Sequence, residues 1–395
     1  MKILFPQARP DAVPCRLLAN PAILSVSPYL PGKSISEVQR EFGLTDVVKL
    51  ASNENPAGPS PQALEAIRSL LPELHLYPES GAELRRALSE RNGLPVGGVL
   101  LGHGATDLLD LIMRAFSCPG DEVISAHPGF PWYQMLGQLN GAKNVIVPLR
   151  DHVHDLEAMS ERVTGRTKLV FVANPNNPTG TTVAVDALDA FVERLPDHVI
   201  LVLDEAYVEY VEDPPNSLAY LAHRNVIVVR TFSKIAGLAG LRIGYAMARP
   251  ELVELLEKVQ PPFSTTSLAH VAALASLTDE HHRTASREAA RVGKELLYVE
   301  LSRLGLRFVP SQANFIFVDF ETGVAPIADG LLRRGFVIRP MLETCARITV
   351  GTLAQTRAFM SALEEVLRTR ERGGEIVHSP PEPIRATQSR QQPDL

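Results

Sequence analysis

Between about residue 95 and residue 250, short apolar runs alternate with longer amphipathic stretches. That is the pattern of a mostly parallel sheet covered by helices. It predicts strands at 99–101, 122–125, 144–147, 168–172, 199–203, 226–230 and 243–247, with helices such as 107–116 and 185–194 between them. Beyond about residue 280 the pattern changes to a long amphipathic helix over 281–304, strand-like stretches at 314–318, 337–339 and 347–350, and a last helix. The expected fold class is α/β: a large domain with a mostly parallel seven-stranded sheet flanked by helices, plus a smaller α+β domain. Residues 58–280 are expected to form the large domain and 281–367 the small one. Residues 1–57, rich in Pro and short on periodicity, read as an arm packed on the small domain. Residues 368–395 have almost nothing to bury and read as a disordered tail.

Length supports this division, because 395 residues exceed one ordinary core. Charge narrows the partners. With 45 acidic against 39 basic residues and a net charge of -6, the chain carries no electrostatic footprint for nucleic acid or an anionic membrane. The start lacks an apolar stretch with a small-residue cleavage site, so no secretory leader is expected. No apolar run reaches the roughly 18 residues of a membrane span. Cys15, Cys118 and Cys345 are odd in number, far apart and without metal-ligand spacing, and read as reduced thiols. A cytoplasmic location fits, and no metal is called for.

Five groups of polar residues sit where strands should end, and in an open α/β sheet such residues face one crevice. After the first strand comes Leu-Gly-His-Gly-Ala-Thr-Asp at 101–107. The backbone N–H groups of Ala105 and Thr106, with the Thr106 hydroxyl, can hold a phosphate at a helix start, although Gly-Ala-Thr-Asp is equally an ordinary N-cap. The rigid loop 174–180, NPNNPTG, offers Asn177 as a donor to a phenolate-like oxygen; turn chemistry alone also explains its composition. Asp204, in Asp-Glu-Ala-Tyr after an apolar strand, can pair with the protonated nitrogen of a pyridine cofactor, with Tyr207 reaching the ring hydroxyl. A plain N-cap and a metal carboxylate are the rivals, and the chain has no phosphate-loop motif to support the second. In Thr-Phe-Ser-Lys, Lys234 lies between an apolar strand and a small-residue loop, where desolvation makes an amine nucleophilic toward an aldehyde. Arg242, eight residues on, can complete a phosphate cup with Thr231 and Ser233, or make a surface ion pair.

These residues together resemble fold type I pyridoxal-phosphate enzymes, most closely the histidinol-phosphate aminotransferase family. The likeness runs from about residue 28 to 367. It is carried by PYLPGK at 28–33, KLASNENPAGPSP at 49–61, YPES at 77–80, NPNNPTG, DEAY, RTFSKIAGLAGLRIGY at 230–245, QANFIFVDF at 312–320 and ARITVGT at 346–352. The resemblance implies pyridoxal 5'-phosphate as cofactor, held by Lys234 as a Schiff base, with Lys234 then moving a proton between substrate and cofactor. It implies that Asp204 pairs with the ring nitrogen, that Asn177 and Tyr207 bind the ring oxygen, and that Phe130 stacks on the ring. It places Tyr77 on the phosphate across a homodimer interface, and Arg347 on the substrate's anionic group beside Asn53, Tyr29 and Arg339.

The turn GHGATD and the segment PGFPWY depart from the common family pattern and put His103, Thr106, Gly129 and Trp132 near the expected substrate side. The implied reaction is amino transfer from L-histidinol phosphate to 2-oxoglutarate. The alternatives are an aromatic or specialised amino donor, and decarboxylation or elimination of a phosphorylated amino acid. A cofactor-sensing regulator would need a DNA-binding module, and the roughly 50 residues before the core are too few and too rich in Pro for one.

Overall fold

A computed structural model describes residues 15–372, apart from Pro31 and His223. Seven strands make up the large sheet: β1 Val99–Gly102, β2 Glu122–His127, β3 Lys143–Pro148, β4 Thr167–Ala173, β5 Ile200–Asp204, β6 Val226–Thr231 and β7 Gly244–Met247. They form the one mostly parallel seven-stranded sheet that the apolar runs predict, in the order β1-β7-β6-β5-β4-β2-β3. The central strands are buried on both faces, which is why they read as unbroken apolar runs. Alternate residues feed two separate cores. Leu201, Leu203, Val170 and Val228 enter one, and Ile200, Val202, Phe171 and Ile227 enter the other.

Two features of the register bring the polar strand ends together. Ala173, Asp204 and Val229 lie side by side across β4, β5 and β6, which run parallel. The strand β7 runs antiparallel between β1 and β6, pairing Gly244 with both Gly102 and Thr231. The residues just before β7, Arg242 among them, therefore meet the ends of β1 and β6.

A second sheet, wholly antiparallel, has the order β10-β11-β9-β8, where β8 is Arg307–Val309, β9 Phe315–Asp319, β10 Arg339–Pro340 and β11 Cys345–Thr349. Its core holds Leu297, Leu301, Ile316, Ile348, Phe359 and Leu363, contributed partly by the helices Glu280–Arg303 and Leu353–Arg372. Arg339 and Arg347 are direct partners across β10 and β11, so both guanidinium groups project from one face.

The pattern reading differs from the structure in several places. The strand β8 is absent from it, because three residues with an exposed Arg307 carry too little alternation. The expected strand 337–339 divides between Phe336–Val337, which pairs with Val48–Lys49, and β10. The arm contains the helix Ile35–Phe42, started by a capping box of Ser34 and Glu37, a signal readable in Ser-x-x-Glu. This helix packs through Val38 against Ala51 and Val337, while Pro21–Ser25 lies against the large domain's helix Trp132–Leu139. The last helix continues to Arg372, past the expected start of the tail at 368. Residues 373–395, with the rest of that tail, lie outside the described residues, as do residues 1–14.

Candidate active site

Where the strand ends of the large sheet face β10 and β11 there is a cavity of about 300 Å³. Among the residues that line it are Lys234, Asp204, Tyr207, Asn177, Phe130 and Arg347, drawn from separate segments of the chain, with only Asp204 and Tyr207 sharing one. The Lys234 Nζ donates to the Ser52 carbonyl at 3.1 Å and lies 5.6 Å from the centre of the Tyr207 ring. Burial, helped by the nearby Arg347 and Arg242 charges, holds this amine down at about 8. A substantial share of it is therefore neutral near physiological pH.

Asp204 is the last residue of β5 and is buried. Its Oδ1 accepts from the Ala206 N–H at 3.1 Å and its Oδ2 from the Tyr133 hydroxyl at 2.6 Å. Burial pushes its carboxyl above the usual range, and these two donors oppose that shift. On the next wall Asn53 Nδ2 donates to the Tyr207 oxygen at 2.9 Å, and Thr349 donates to Asn53 Oδ1 at 3.0 Å. Because the Tyr207 oxygen already accepts from Asn53, its own O–H is left to donate. Burial raises this phenol, which keeps it protonated. Arg347 Nη1 donates to Asn177 Oδ1 and Nη2 to the Ala51 carbonyl, both at 2.6 Å. Asn177 Nδ2 is thereby directed to the cavity, and Arg347 Nε is buried with no partner among the described residues.

At the other end is an anion cup. The helix Ala105–Phe116 starts after its N-cap Gly104 with no side chain capping its first turn, and Asp107 accepts from the His103 N–H at 2.9 Å. Open first-turn N–H groups and the helix dipole attract a phosphate. Thr231 donates to Ser233 Oγ at 3.0 Å, and Arg242 Nη1 reaches the same oxygen at 3.5 Å. A Cβ on Gly104 would stand 2.5 Å from Arg242 Nη2, so glycine at that position lets the guanidinium take its present place in the cup. An open helix start, two hydroxyls and a guanidinium make a donor set suited to a phosphate monoester.

The family model for aminotransferase class I and II matches residues 45–363. The chain belongs to the class I and II aminotransferase family. A histidinol-phosphate aminotransferase of Moorella thermoacetica is 46% identical over 355 residues, covering 88% of this chain and 92% of that protein. Histidinol-phosphate aminotransferase 1 of Nitrosococcus oceani is 45% identical over 358 residues, covering 89% and 97%. Among solved structures, the histidinol-phosphate aminotransferase from Sinorhizobium meliloti in complex with pyridoxal-5'-phosphate has a TM-score of 0.83 at 30% identity, covering 89% of this chain and 98% of that one. Aspartate aminotransferase from Thermus thermophilus with maleate has a TM-score of 0.77 at 27% identity, covering 89% and 99%. The aminotransferase fold read from the motifs is thus the fold of the chain.

Of the residues singled out in the sequence, Ala105, Thr106, Phe130, Asn177, Asp204, Tyr207, Thr231, Ser233, Lys234, Arg242, Tyr29, Asn53, Arg339 and Arg347 all line this one cavity. Asn53, expected beside the substrate, spends its side chain on Tyr207 and Thr349. Arg339 donates to the Leu30 carbonyl at 3.0 Å and lies 5.4 Å over the Tyr29 ring. Tyr77 is not in the wall: it is 79% exposed and stacks on Phe263 at 4.7 Å. Of the four departures only Thr106 lines the cavity; Trp132 packs against the large-domain core. Tyr133 was missed, although its place three residues after Phe130, at the start of a helix, brings the two rings together.

Proposed function

We propose that this aminotransferase transfers the amino group of L-histidinol phosphate to 2-oxoglutarate, using pyridoxal 5'-phosphate. The observation that carries the reading is one cavity with a lowered-pKa lysine between two separate anion holders, the cup at Arg242 and the Arg347–Arg339 pair. One cup takes the cofactor's phosphate, and the arginine pair takes the anionic end of the amino donor and then of the oxo acid. The relatives named above support the choice of donor. When bound, the cofactor supplies an aldehyde to carry the amino group and a ring that withdraws electrons.

Each residue then has a task. Ala105 and Thr106 N–H, Ser233 and Arg242 hold the phosphate, with Thr231 orienting Ser233. Asp204 accepts from the ring N–H, the Tyr207 hydroxyl and Asn177 Nδ2 donate to the ring oxygen, and Phe130 covers a ring face. The neutral Lys234 amine would hold the cofactor through its aldehyde and would serve as the base that moves a proton at the donor's reacting carbon. Arg347 suits both partners, because a guanidinium fork fits a carboxylate or a phosphate monoester equally.

The same reading makes the protein a homodimer, with Tyr77 of a second copy completing the phosphate cup. Support comes from the exposed apolar Leu71, Leu74, Leu76 and Phe263 around Tyr77, a patch that a partner would cover. A cytoplasmic location is supported by the free thiols of Cys118 and Cys345. No helix among the described residues is long and apolar enough to cross a membrane.

The test is the absorbance of the loaded protein as L-histidinol phosphate, phenylalanine or glutamate is added to separate samples. Loss of the cofactor band with histidinol phosphate and its return with 2-oxoglutarate are the expected results. A band that answers only to phenylalanine would replace the donor, and carbon dioxide or elimination products without oxo-acid consumption would replace the reaction.

A further inference from the structure

We propose that Tyr133 is a positioning residue that aims the Asp204 carboxylate at the cofactor's ring nitrogen. The inference rests on the function proposed above. Tyr133 is buried on the helix Trp132–Leu139, and its hydroxyl donates to Asp204 Oδ2 at 2.6 Å across 71 positions of sequence. The ring cannot swing away. It is stacked on Phe171 at 4.8 Å with 8° between the planes, and Phe130 meets it edge-on at 5.5 Å. The other carboxylate oxygen, Oδ1, accepts from the Ala206 N–H.

Two donors on two oxygens stop the carboxylate from rotating, and leave lone pairs directed to the cavity. Among the groups that oppose the upward push of burial on Asp204, the Tyr133 hydrogen bond is the largest. Tyr133 is itself held well above the usual phenol range, first by burial and then by the Asp204 charge, so it stays a donor. A buried carboxylate that lost this bond would turn and favour its neutral form, and a neutral carboxyl grips a ring N–H less well. Phenylalanine keeps both ring contacts and removes only the oxygen, which isolates the hydrogen bond from the packing.

The experiment compares wild type, Tyr133→Phe, Asp204→Asn and the double variant. Each apoprotein is titrated with pyridoxal 5'-phosphate for the dissociation constant, and kcat and KM are measured with L-histidinol phosphate and 2-oxoglutarate. Loss of a hydrogen bond to a charged group predicts that Tyr133→Phe weakens cofactor binding about ten-fold or more. It also predicts a lower kcat and KM values within two-fold of wild type. In the Asp204→Asn background the same substitution should add less than two-fold, because its effect passes through the carboxylate. A Tyr133→Phe protein that binds cofactor within two-fold of wild type overturns the proposal, and so does an equal loss in both backgrounds. If Asp204→Asn binds too weakly to titrate, the comparison of Tyr133→Phe with wild type decides alone. If Asp204→Asn leaves binding and kcat unchanged, the assignment of Asp204 in the proposed function fails, a different result from failure of Tyr133.

Discussion

Replacing Gly104 with alanine puts the phosphate cup under a defined strain. Gly104 has φ 80° and ψ 167°, a region that residues with a Cβ rarely enter, at a cost of about 1–3 kcal/mol. The new methyl would stand 2.5 Å from Arg242 Nη2 and 3.0 Å from its Cζ, so the guanidinium must shift from its place in the cup. Its charge-assisted hydrogen bond to a phosphate contributes about 1.5–3 kcal/mol, or roughly 10- to 100-fold in affinity. The assay titrates apoprotein with pyridoxal 5'-phosphate and, separately, with pyridoxal, which lacks the phosphate. The expected outcome is a 10- to 100-fold weaker hold on the phosphorylated cofactor, with pyridoxal affinity changed by less than about three-fold, and a lower melting temperature of the apoprotein. Equal weakening of both ligands would falsify the assignment of the cup, since the damage would then not pass through the phosphate.

Three further outcomes follow from the same geometry. Lys234, held at about 8, is neutral in roughly one molecule in ten at pH 7, against about one in three thousand at its ordinary value; lowering a lysine's pKa frees the amine earlier as pH rises. The rate of cofactor capture by apoprotein should therefore climb about ten-fold above pH 7 and level off beyond pH 8 in stopped-flow absorbance, and an inflection near 10.5 would contradict the desolvated site. Arg347→Lys removes the fork that holds Asn177 and the Ala51 carbonyl, so the KM for 2-oxoglutarate should rise about 10- to 100-fold; steady-state kinetics showing an unchanged KM would take Arg347 off the oxo acid. Asn53 has φ 56°, which glycine accepts freely, so Asn53→Gly loses only the side-chain bonds to Tyr207 and Thr349. A loss of about 1–3 kcal/mol in denaturant unfolding is expected, with a lower kcat because the Tyr207 hydroxyl is no longer oriented.

The sheet and most of the cavity wall were legible in the sequence because each is a local matter. A strand buried on both faces must be apolar throughout, so 199–203 and 226–230 stood out, and the polar residue ending such a run has to lie at the crevice. Asp204, Ser233 and Lys234 follow from that rule with no knowledge of what they touch. Short strands such as β8 escaped because three residues cannot display a period.

What tertiary structure alone decided is which groups meet. The antiparallel placement of β7 delivers Arg242 to Gly104 and Ser233, and the β10–β11 register sets Arg339 beside Arg347. The hydrogen bonds of Tyr133 to Asp204, Asn53 to Tyr207 and Arg347 to Asn177 join residues 71, 154 and 170 positions apart. No local pattern encodes such pairs, because hydrophobic periodicity reports only the burial of a residue's own face. The partner across the cavity is chosen by how whole sheets and helices pack, and that packing gives the amine, the carboxylate and the guanidinium their direction and charge.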